Sequence, residues 1–121
     1  MTVEGRALAI GDLFERTPVQ FGMRGDSYLW SELRSAFADT ALPDSWFELR
    51  QLVHDAIEHR IGQRLSEFAD PPCVYIPEFD PGRGMSAGQV HLPWWVHTGI
   101  PILLDRFEGL PSAPDPASGS G

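Results

Sequence analysis

Apolar residues recur at helical spacing in two long stretches of the chain. Leu29, Trp30, Leu33, Ala36 and Phe37 share one stripe of a helix that runs from the Arg24–Ser27 turn to about Ala38. Asp26 or Ser27 is the expected cap at its start. Trp46, Leu49, Leu52, Val53, Ala56 and Ile57 form the stripe of a second helix. Ser45-Trp46-Phe47-Glu48 in front of it fits S-x-x-E, a box that satisfies two free backbone donors. Gly62 follows as a residue able to take the left-handed conformation, and Arg60 in the last turn complements the helix dipole.

Beyond that helix the spacing shortens. Cys73-Val74-Tyr75-Ile76 reads as a short buried strand that Pro77 ends or confines to an edge. Gln89-Val90-His91-Leu92 is the expected returning strand of a hairpin. Pro93 opens a third helical segment carrying Trp94, Trp95 and Val96. Thr98-Gly99-Ile100-Pro101 interrupts it, and a last helix from about Pro101 to Glu108 has Leu103, Leu104, Phe107 and Leu110 inward. Nearer the start, Ala7–Ile10 is a short strand or a helical turn, and Val19–Met23 alternates like an edge strand. The sum is an α+β fold with three or four helices packed on a small antiparallel sheet. Residues 1–110 read as a single globular domain, and residues 111–121, rich in Pro, Ser, Ala and Gly, as a disordered tail or linker.

Composition narrows the function. Hydrophobic content is 42% and charged content 21%, ordinary for a globular chain of 121 residues. Nine basic residues, all arginine, stand against 17 acidic ones, for a net charge of −8. An acidic chain is a poor binder of nucleic-acid phosphates, but it suits electrostatic steering toward a basic protein. Cys73 is the one cysteine, so no internal disulfide and no thiolate-rich metal site can form, and a reduced cytoplasm fits. No apolar run is long enough to span a membrane, and the first residues lack the pattern of a signal peptide.

The most unusual run is Glu78 to Val90. Within it Gly84-Met85-Ser86-Ala87-Gly88 spells G-x-S-x-G, the pattern of a nucleophile elbow. The partners such a serine needs are out of order. No acid lies between Ser86 and either His91 or His97, and Asp105 and Glu108 follow both. Gly82, Gly84, Gly88 and Arg83 have some features of an anion cradle. The P-loop pattern needs a lysine that is absent, and Pro93 arrives too soon for a dinucleotide-binding unit. His54, Asp55, Glu58 and His59 are dense in ligand types, but the histidines are five apart where a zinc helix needs four, and a solvated face is the simpler reading. Arg24-Gly25-Asp26 matches a cell-adhesion tripeptide, yet three residues are common by chance and a helix start explains them. No cofactor and no metal are expected.

Several segments together carry a resemblance. Phe21-Gly22-Met23-Arg24-Gly25-Asp26-Ser27-Tyr28-Leu29-Trp30, the Gly84–Gly88 loop, and Trp94-Trp95 followed by Ile100-Pro101-Ile102-Leu103-Leu104 resemble a signature of small bacterial proteins. These are similar in kind to immunity proteins of polymorphic toxin systems. The resemblance implies a non-enzymatic inhibitor that binds and neutralises a toxin domain, with no catalytic residues. The expected partner surface joins Arg24, Asp26 and Tyr28 to Arg83, Met85, Ser86 and Trp94. The alternative is a small ligand-binding domain or enzyme that uses the Gly82–Gly88 loop. The oligomeric state is open.

Overall fold

A computed structural model describes residues 2–3, 6–21, 23–67, 70 and 72–110, with backbone only at residues 2–3, 6–7 and 67. The tail expected over residues 111–121 lies outside the described residues. The fold is α+β, as expected. Two short strands, β1 (Thr2–Val3) and β2 (Arg6–Ala7), pair antiparallel. Helices α1 (Ile10–Arg16), α2 (Arg24–Ala36) and α3 (Trp46–Ile61) follow. Strand β3 (Cys73–Tyr75) then pairs antiparallel with β4 (Gln89–His91), Val74 opposite Val90, which is the expected hairpin. A one-turn helix α4 (Met85–Gly88) lies inside its connection. The chain closes with α5 (Leu92–Trp94), a wide turn over Trp95–Gly99 and α6 (Ile100–Glu108).

The first two helices start by one device. The N–H of Ala9 donates to Asp12 Oδ2 at 2.8 Å, and the N–H of Met23 donates to Asp26 Oδ2 at 3.0 Å. Each aspartate sits three residues into the chain from the cap and bonds back to it. Asp26 is therefore not the cap residue expected at the start of α2, and neither is Ser27; Met23 holds that position. An acid at the third position still meets the helix dipole favourably. At α3 one half of the expected box forms, and among the described residues Glu48 makes no return bond to the Ser45 N–H. Ser45 Oγ accepts from the N–H of Glu48 at 3.2 Å, and Gly62 ends the helix with φ 76°.

The burial pattern trims the predicted stripes. On α2, Leu29, Trp30, Leu33 and Phe37 are buried, while Ala36 is exposed. On α3, Leu49, Val53 and Ile57 are buried at a strict spacing of four, and Trp46 and Leu52 stay exposed. Val19–Met23 forms no strand among its described residues. Phe21 instead packs on Trp30 and Trp94, with ring centroids 5.7 and 5.6 Å apart.

The expected interruption at Thr98–Pro101 is a widening, not a break. The N–H of Ile100 reaches back to the carbonyl of Trp95, one residue further than in an α-helix. Proline has no N–H, and its ring crowds the carbonyl four residues back. A wide turn just before Pro101 lets the helical path continue without that missing bond. The core joins α1, α2, α3, the hairpin and α6, with Trp95, Phe14, Ile10 and Leu29 among its largest fully buried side chains. Trp30 Nε1 donates to the Phe14 carbonyl at 3.2 Å, and Arg106 donates to the Arg16 carbonyl at 3.0 Å, tying α2 and α6 to α1. Among the described residues no helix is long and apolar enough to cross a membrane.

Candidate functional site

The Arg24–Tyr28 turn and the Arg83–Ser86 loop meet, as the sequence reading expected. The contact is made residue by residue. Arg24 projects from the first turn of α2, and its guanidinium donates to the Arg83 carbonyl at 2.6 Å and to Ser86 Oγ at 2.9 Å. Gly25 lies against β4, where a Cβ would fall inside the Gln89 carbonyl oxygen. Only glycine permits this close approach of helix to strand. Asp26 is fully buried. Its Oδ1 accepts from the His91 N–H at 2.8 Å and from Trp95 Nε1 at 3.1 Å, while Oδ2 takes Met23. All three residues of Arg24-Gly25-Asp26 thus dock α2 onto the hairpin and its connection.

Asp26 consequently has no exposed surface to offer a partner, and its place on the expected binding surface is corrected. Burial raises its pKa from 3.8, and the bonds from His91, Trp95 and Met23 oppose that rise. Those donors make the carboxylate affordable inside the core, since a buried acceptor without partners is costly. Tyr28 is half-buried. Its ring lies under the Arg83 guanidinium, 4.7 Å from the centroid, and beside Phe79 at 5.6 Å. Arg83 also donates to the Phe79 carbonyl at 3.3 Å.

The G-x-S-x-G run folds unlike an elbow. A short 3₁₀ turn over Pro77–Phe79 and a glycine turn precede it, and a strand follows it, the reverse of strand–turn–helix. Gly84 has φ +96°, a conformation that residues with a Cβ rarely adopt, and it turns the chain into α4. Ser86 Oγ is engaged by Arg24, and among the described residues no histidine or carboxylate hydrogen-bonds to it. A nucleophile requires such a base.

Two of the expected surface residues separate from each other. Met85 stands 68% exposed at the head of α4. Trp94 is half-buried in a different place, an aromatic cluster with Phe21, Trp30 and Trp95 at centroid distances of 5.6, 6.3 and 5.2 Å. Sequence reasoning passed over Tyr75, which is 44% exposed, lies against Gly88 and hydrogen-bonds to Asp80. It placed Trp46 on the inner stripe of α3 and passed over Phe47, and the two are exposed neighbours whose rings meet edge to face at 6.0 Å. Two adjacent aromatics cannot share one helix stripe, and that was the available signal.

Arg60 does more than complement a dipole. Its guanidinium bonds Glu32 of α2 at 2.7 Å and Glu78 at 2.9 Å, and lies 5.2 Å from the Phe79 ring. It joins α3 to α2 and to the start of the loop. The His54–His59 cluster faces outward. Glu58 accepts the Leu65 N–H at 2.7 Å, closing the end of α3, and Asp55 accepts from Gln51 at 2.8 Å. Among the described residues no three potential ligands converge as a metal site would need.

No protein-family model, no curated protein and no solved structure matches this chain.

Proposed function

We propose that the chain is a non-enzymatic interaction protein of the immunity type, acting in the cytoplasm, which binds a basic toxin domain and neutralises it. One observation carries this reading. Met85 is held 68% exposed on a loop tied down by the Arg24 bonds to Arg83 and Ser86. Methionine adapts to irregular apolar surfaces, and a loop already fixed loses little entropy when a partner covers it. Arg83 lies two residues before it on the same loop and Tyr75 packs against Gly88 at the end of α4, and Arg, Tyr and Met are the residue types enriched at interfaces. The net charge of −8 adds long-range attraction for a cationic partner.

The test is co-purification from the native host, followed by titration of the purified partner against wild type, Met85→Asp and Arg83→Gln. Each substitution is expected to weaken binding by about tenfold or more while the protein stays folded by circular dichroism. The partner's toxicity should fall to background at equimolar wild type. A host extract that yields no stoichiometric partner overturns the reading, as does a partner indifferent to both substitutions.

A further inference from the structure

The β3–β4 ribbon is two strands wide, and its two outer edges differ. The Ile76 N–H donates to the Gly88 carbonyl at 2.7 Å. By alternation Ile76 and Val74 turn their backbone groups toward β4, and Cys73 and Tyr75 turn theirs away. On β4 the same alternation leaves Gln89 and His91 facing outward, and α2 covers that edge. The Gln89 carbonyl lies against Gly25, and the His91 N–H donates to Asp26 Oδ1 at 2.8 Å. Among the described residues the outer edge of β3 has no such cover. β4 is the strand paired with it, no further backbone bond reaches Cys73 or Tyr75, and both residues are exposed.

We propose that this edge takes up an extended, basic segment of another protein as a third, antiparallel strand. The N–H and C=O groups of Cys73 and Tyr75 make a row of outward donors and acceptors, and a second extended chain is what matches such a row. Pro72 and Pro77 bound it, since neither offers an N–H, so the paired stretch is short. Pleating then fixes the side chains of the segment. Val74 packs against the core, so the residue opposite it is apolar. Cys73 and Tyr75 share the other, exposed face, and the residues opposite them are cationic. Asp80 accepts from the Tyr75 hydroxyl at the end of that face, keeping its charge and further acceptor sites. Among the described residues no arginine pairs with Asp80, and the net charge of −8 adds attraction for a basic segment. This inference stands apart from the Met85 reading, because it concerns backbone pairing at the ribbon edge and its test needs no toxin.

The experiment is an NMR titration of the full, isotope-labelled chain with the end-capped peptide Thr-Lys-Val-Lys-Thr. Its lysines fall opposite Cys73 and Tyr75 and its valine opposite Val74. Saturable amide shifts centred on Cys73, Val74 and Tyr75 are expected, with hydrogen exchange at the Cys73 and Tyr75 amides slowed on binding. The same peptide methylated on both lysine backbone nitrogens cannot complete the ladder and should not bind. Glutamate in place of both lysines should weaken binding about threefold or more, the worth of one or two cross-strand charge pairs. Tyr75→Pro removes one outward N–H without touching the β4 ladder and should weaken binding about fivefold. The methylated peptide probes the same bonds from the ligand side and decides the matter if that variant misfolds. Overturning results are no saturation, shifts centred away from β3, or equal binding by the methylated peptide. Equal binding by the glutamate peptide overturns the basic character of the segment.

Discussion

Asparagine in place of Asp26 would set an amide N–H₂ among the N–H groups of Met23, His91 and Trp95. At least one of these buried donors would lose its acceptor. The expected cost is about 1–3 kcal/mol of stability, read from urea denaturation. Asp26 also marks how far a local reading reaches. An acid near a helix start is recognisable from the sequence, and it does bond the backbone of Met23. Its bonds to residues 65 and 69 positions away are not recognisable, because no periodicity encodes them. At His54 the pKa is lowered from 6.5, so the unfolded chain binds that proton more readily than the folded one. The contribution is constant above the unfolded value. It is lost as pH falls from 6.5 through the folded value. The urea midpoint of wild type relative to His54→Gln should therefore drop over that window and level off below it.

Elements are held together here by close backbone approach as much as by side chains. Gly25 shows it most directly. With a methyl group there, α2 must lift away from the Gln89 carbonyl, drawing Arg24 off its acceptors and Asp26 off its donors. Gly25→Ala is expected to destabilise by about 1–3 kcal/mol or more, the usual range for overpacking, with a lowered thermal midpoint as the readout. The same change should free Ser86 from Arg24 and loosen the loop that carries Met85. Helix existence and the hairpin pairing were legible because periods of 3.6 and 2, capping chemistry and proline positions are local properties. The wide turn before Pro101 was legible only as an interruption. Proline forbids one hydrogen bond, and whether the chain then breaks or widens depends on what the surrounding helices pack against it.

Across the whole molecule, the excess of acidic residues is the property that acts at a distance. Attraction between exposed charges is screened over about 8 Å at physiological ionic strength. If the proposed basic partner docks at Met85, its association rate should therefore fall as salt is raised, while the dissociation rate changes much less. Stopped-flow measurements at two salt concentrations check this, and an association rate indifferent to salt would argue against a cationic partner. The expected surface divides at this scale. Arg24, Tyr28, Arg83 and Ser86 converge, Met85 projects from them, Asp26 lies in the core and Trp94 belongs to a separate aromatic cluster.

The sequence alone determined the α+β class, the two long helices with the cap and end of the second, and the β3–β4 pairing. Each follows from local propensity. The tertiary structure decided which of those residues face water. Burial depends on which neighbours cover a side chain, and that is a property of the packed helices. So Asp26 became an internal clamp, Trp94 a half-buried member of an aromatic cluster, Ser86 an acceptor for arginine, and Met85, Tyr75, Trp46, Phe47 and Leu52 large apolar side chains left open.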